Sequence, residues 1–237
     1  MPTIKESITN ERLQYLVLIG ISIVVLALTA IGYFSNNLFF QRFMGSINPL
    51  IVILLIIFLG IALLSLLLSQ DWFTIFKKEN LKRIFRWYGL AVLFGLMAIL
   101  VDLNVVFPAD QNVLFPGSLA FYPVMGFIVE ILFHILPFSL ILIIVTSLSN
   151  KINHNKIIWV SIFLVSLLEP ILQIQLGYSR LYPAWTYVWT GLHVYLISLS
   201  QLIIYKRYDF VSMYSFRIVY YIIWHIIWGY MRLQLLF

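Results

Sequence analysis

Ser46-Ile-Asn-Pro-Leu-Ile-Val-Ile-Leu-Leu-Ile-Ile-Phe-Leu-Gly-Ile-Ala-Leu-Leu-Ser-Leu-Leu-Leu-Ser-Gln70 runs for 25 residues without one charged side chain. A bilayer core about 30 Å thick takes about 20 apolar residues of helix to cross, and a helix satisfies its own backbone groups there. This stretch is long enough. Six more runs meet the same condition, so the expected spans are 14–34, 46–70, 87–106, 118–147, 157–175, 185–205 and 211–235. The reading is all-α: a polytopic membrane bundle of about seven helices, residues 1–237 forming one domain. The fourth run exceeds a plain span; it is expected to tilt or to start as an interfacial turn around Pro116 to Pro123, with a kink at Pro137.

Composition agrees. Hydrophobic residues make up 62% of the chain and charged residues 10%, where a globular domain has about 25% charged. A soluble domain is excluded. The first run is too long for a signal-peptide core and lacks a small-residue cleavage site, so it is read as a retained helix. With no cysteine in the chain, disulfides, iron–sulfur ligation and thiol catalysis are ruled out. The net charge of +6 does not point to nucleic acid, because the basic residues lie in short loops between apolar runs.

Those loops set an orientation instead. With the N-terminus inside, the inner segments carry Lys5, Arg12, Lys77, Lys78, Lys82, Arg83, Arg86, Lys151, Lys156, Lys206, Arg207 and Arg217, twelve of the 15 basic residues. Only Arg42, Arg180 and Arg232 fall outside, as the positive-inside rule requires. The expected location is therefore the cell membrane, multi-pass, with the lipid bilayer as first partner. Trp72, Trp87, Trp185 and Trp189 stand near span ends, as aromatic anchors do, and His154 falls in a loop expected to be solvated.

Ionisable groups inside spans are costly, roughly 2.5–3.5 kcal/mol each on insertion scales, so they face the bundle interior or mark function. Here they are Glu130, Glu169, His134, His193 and His225, with Asp102 near an outer end. Carboxylates and imidazoles are the side chains that hold a transition metal or relay protons. Glu130 and His134 stand i, i+4 on one face. Counted at 1.5 Å per residue from the basic span ends, the five groups lie ~20 to ~31 Å deep and can meet within about two turns. Arg217, Tyr221, His225 and Gly229 form one stripe on the last helix, where Arg217 can pair with a carboxylate and Gly229 allows a close neighbour. The alternatives are plainer: a hydrogen-bonded packing pair for Glu130 and His134, a protonated carboxyl at a Pro170 kink for Glu169, a packed imidazole for His225, and a cross-helix bond for His193.

The stretch Val129-Glu130-Ile-Leu-Phe-His134 resembles the Glu-Glu-x-x-x-Arg signature of the CAAX-protease and bacteriocin-processing (CPBP) intramembrane metalloproteases. Val129 stands for the first Glu and His134 for the Arg. The helix reading Val165-Ser-Leu-Leu-Glu169-Pro is similar to the family's Phe-x-x-x-His, with Glu169 in the His place. The last helix offers His225-Ile-Ile-Trp-Gly229 for His-x-x-x-Asn or Asp. The likeness covers about 118–235, with three extra helices before it. It implies a metal-dependent intramembrane protease acting on a membrane-associated peptide or protein. Glu130 is then the expected catalytic base, and His134, Glu169, His225 and less directly His193 the ligands of a divalent ion, zinc by ligand type, supported by Arg217 and Tyr221. Two other readings stand beside it: a catalytically degenerate CPBP fold with an immunity or scaffold role, and a small proton-coupled transporter using the same groups as a relay.

Overall fold

The computed structural model describes residues 4–35, 39–148, 153–177 and 182–237. Lys151 and Arg180 lie outside these residues, and the side chains of Lys5 and Arg42 are likewise not described. Among the described residues the structure is helical, and seven helical segments are long and apolar enough to cross a membrane. They are α1 (Ile4–Phe34), α2 (Pro49–Ser69), α3 (Phe85–Val105), α4 (Gly117–Val129 continuing through Glu130–Ile135 and Leu136–Leu148), α5 (His154–Val165 and Leu168–Gly177), α6 (Ala184–Arg207) and α7 (Phe210–Tyr221 continuing through Ile222–Ile227 and Trp228–Leu235). Boundaries follow local chemistry. Asn48 caps α2, its side chain accepting the Leu50 N–H, and Pro49 follows at the first turn, where its missing N–H costs nothing.

Contacts at both ends of the bundle show that the spans alternate in direction. At one end, the loop after α2 docks on the α6–α7 turn: Phe210 and Val211 N–H donate to Thr74 and Ile75 carbonyls at 3.1 Å each. Ile75 N–H in turn donates to Gln14 of α1 at 2.8 Å, and Lys206 of α6 donates to Asn155 at the start of α5 at 2.7 Å. At the other end, Asp102 near the end of α3 meets Arg232 near the end of α7 at 2.7 Å. Helices 1, 3, 5 and 7 therefore run one way and 2, 4 and 6 the other.

Between its polar ends the outer face is largely apolar. Leu16, Ile23, Leu55, Phe58, Leu100, Ile144 and Val188 are all exposed, a continuous belt that water would not tolerate and lipid does. The centre belongs to α4, where Phe127, Ile131, Ile135, Phe138 and Leu142 are fully buried. Helix α1 packs on α2 and on the first half of α4, α3 on α7, and α6 on the second half of α5.

Three of the inner helices are irregular. In α4, Glu130–Ile135 forms a π-helical turn, directly before Pro137, whose ring clashes with the carbonyl four residues back and which has no N–H to donate. The expected kink thus takes the form of a wide turn. In α5 the helix breaks at Ser166–Leu167 and resumes at Leu168, so Pro170 falls in a first turn, where it is accommodated. In α7, Ile222–Ile227 is a second π-helical turn.

Candidate functional site: a buried ion cluster beneath an aromatic cavity

The irregular turns carry the polar residues. Glu130 opens the π turn of α4, and His134 in that turn donates its Nδ1–H to Glu130 Oε2 at 2.7 Å. Glu169 enters from the first turn of the resumed α5 helix. From α7, Arg217 inserts between the two carboxylates: its Nε donates to Glu130 Oε1 at 2.6 Å, and its two terminal nitrogens reach Glu169 Oε1 and Oε2 at 3.1 and 2.9 Å. The remaining donors go to the Tyr221 hydroxyl at 3.2 Å and the Gln201 amide oxygen at 2.7 Å. A guanidinium has five N–H groups, and all five are used here.

The carboxylates are equally committed. Gln201 Nε2 also donates to Glu130 Oε1. Ser198 donates to Glu169 Oε2 at 3.0 Å, and Gln173 to Oε1 at 3.2 Å. His134 Nε2 lies 3.8 Å from Glu169 Oε2, so the imidazole spans the gap between the two acids. Glu130 and His134 are 0% exposed and Arg217 1%. Burying charges this deep is tolerated only with good geometry and satisfied hydrogen bonds. The guanidinium and the two carboxylates meet that condition, while His134 Nε2 is buried without a hydrogen-bond partner.

Of the residues singled out in the sequence, Glu130, His134, Glu169, Arg217 and Tyr221 therefore come together. His193 and His225 do not join them. His225 sits in the π turn of α7, with Nδ1 2.6 Å from Asn112 Oδ1 and its ring stacked on Tyr122 at 4.4 Å. The donation to Asn112 leaves Nε2 as its acceptor nitrogen. Gly229 does receive a close neighbour, Asn112, whose Cβ is 3.0 Å from where a β-carbon would stand. His193 on α6 stacks on Trp189 at 4.5 Å and meets Phe94 edge-on, and neither of its nitrogens has a hydrogen-bond partner. Trp189, near the start of α6, is partly buried and turns its ring onto His193, and His154, expected in solvent, packs half-buried against Trp72 at 5.1 Å.

Both histidines line a cavity of about 250 Å³ above the cluster. Glu169, Arg217 and Tyr221 form its floor, Trp189, Tyr220 and Trp224 contribute walls, and Gln111 and Tyr182 stand at the far end of the helices. A divalent ion does not fit the cluster as arranged, because the point between Glu130 and Glu169 is filled by the Arg217 guanidinium. Among the described residues no three His, Asp or Glu side chains converge as a metal-holding set.

Sequence reasoning passed over Ser198 and Gln201, which complete the cluster from α6. They were detectable as polar residues i, i+3 on one face inside a span. Arg232, counted with the outside segments, lies near the end of α7, fully buried and paired with Asp102. In comparisons with known proteins, the chain matches no family model, no curated protein and no solved structure.

Proposed function

We propose that this chain is a binding protein of the cell membrane, built on a CPBP-like helix arrangement in which a closely paired ion cluster stands where that family has hydrolytic groups. Its role is that of a scaffold or immunity protein, with the basic end of the bundle facing the cytoplasm. The observation that carries this reading is Arg217, which spends every donor it has on Glu130, Glu169, Gln201 and Tyr221. A carboxylate engaged by a guanidinium is neither a free base for water nor a metal ligand, and the same commitment weighs against a proton relay through these acids. The cavity, at about 250 Å³, is a little smaller than the roughly 300–1,000 Å³ of drug-sized ligand pockets. It suits a small molecule or a single side chain better than a length of peptide.

Metal analysis of the purified protein, paired with a cleavage assay on a membrane-tethered peptide, tests this. The expected result is far less than one zinc or other divalent ion per chain and no cleavage. One tightly held ion per chain that is lost in the Glu169→Ala/His225→Ala variant overturns the proposal in favour of a metalloprotease.

A further inference from the structure

His193 is 4% exposed, lies in the middle of a spanning helix, and has no protein partner for either ring nitrogen. A neutral imidazole carries one donor and one acceptor, and leaving both unmet in a buried site costs about 1–3 kcal/mol per group. Its ring plane is nevertheless set firmly, by Trp189 on one face and Phe94 at the edge. The residue is held in place and left unsatisfied.

The cavity beside it narrows the chemistry of what satisfies it. The floor charges are already engaged, Arg217 by both Glu169 and Glu130 and the Glu169 oxygens also by Ser198 and Gln173, so a charged ligand entering this depth would lose its hydration without meeting a free counter-charge. The rings of Trp189, Tyr220 and Trp224 favour a flat apolar body.

We propose that the cavity is a binding site for an uncharged planar ring compound bearing one or two polar atoms, of the quinone and phenol type, with His193 as its main hydrogen-bonding contact. The site rests on reading the bundle as a metal-free binding protein. Both nitrogens of His193 are covered by neighbouring side chains, so binding requires a wall ring such as Trp189 or Tyr220 to shift, and tryptophan fluorescence should change with occupancy.

The test is equilibrium dialysis of duroquinone against the full chain in nanodiscs, with empty nanodiscs as blank and zinc measured on the same preparations. Saturable uptake at one site per chain is expected. His193→Phe, which keeps the ring packing, should weaken it by at least about tenfold, the loss of one good hydrogen bond. His193→Gln, which keeps a donor and an acceptor, should retain it. Zinc-free protein with no saturable component, or His193→Phe binding as tightly as the parent, overturns the ring-compound site alone. Stoichiometric zinc overturns the reading beneath it.

Discussion

Among the described residues two arginines are almost fully buried, Arg217 held by two carboxylates and Arg232 by one, all from other spans. Arginine suits the task because its planar fork satisfies several acceptors at once and keeps its charge. Arg232 shows what such a pair secures. It donates to both oxygens of Asp102, at 2.7 and 2.9 Å, and to the carbonyls of Phe107 and Pro108 at 2.6 and 2.7 Å. Asp102 also accepts from Trp228 at 2.6 Å and from the Phe107 N–H at 2.8 Å. Between them Val106 adopts a left-handed φ of 53°, a costly state for a β-branched residue that surrounding bonds must hold. Asp102→Asn leaves the guanidinium uncompensated, so a loss of about 3–5 kcal/mol is expected. Thermal unfolding should fall accordingly, and hydrogen exchange at the Phe107 amide should quicken; an unchanged Phe107 amide would mean that the pair does not hold this turn.

At the scale of elements, the decisive features are the interruptions of α4, α5 and α7, since each brings a polar side chain to the cluster or the cavity. Wide π turns recur at functional sites in helices for this reason. Hydropathy locates a span because it averages over composition, and the seven spans read from the sequence begin and end close to those observed, apart from α1, whose helix reaches back to Ile4. The same averaging is blind to helix phase. Pro137 and Pro170 hinted at breaks in α4 and α5, whereas Pro123, expected in an interfacial turn, sits inside the first part of α4, and nothing comparable marks the turn at Ile222–Ile227. The π turn of α7 also shapes its contact with α3. A β-carbon at Gly95 would lie 2.6 Å from Ile223 Cγ2 and 2.8 Å from Ile223 Cβ, atoms too close to the backbone to swing away, whereas one at Gly89 meets nothing within 4 Å. One substitution should therefore act in opposite directions on one helix. Gly95→Ala is expected to destabilise by about 1–3 kcal/mol through overpacking, and Gly89→Ala to stabilise by up to about 1 kcal/mol through helix propensity. Denaturation of the two variants side by side checks this, and equal shifts of the same sign would refute the close packing at Ile223.

At the scale of the whole molecule, seven spans enclose one interior level where α4, α5, α6 and α7 each contribute to a shared knot of charge. That Glu130, His134 and Glu169 can reach one level was legible from residue counts along the spans, and Arg217 was placed to meet a carboxylate by its stripe on α7. Which groups would meet was not legible: rotation about each helix axis decides whether His225 faces Glu169 or Asn112, and that depends on packing that no count supplies. The central claim is that Arg217 holds two otherwise repelling carboxylates in the middle of the bundle. The most direct test is the unfolding free energy of Arg217→Met beside that of the triple variant Glu130→Gln/Glu169→Gln/Arg217→Met. The single change should cost about 3–5 kcal/mol by leaving buried charge unpaired, and the triple change should recover most of that loss. A single variant as stable as the parent, or a triple variant no better than the single one, would contradict the account.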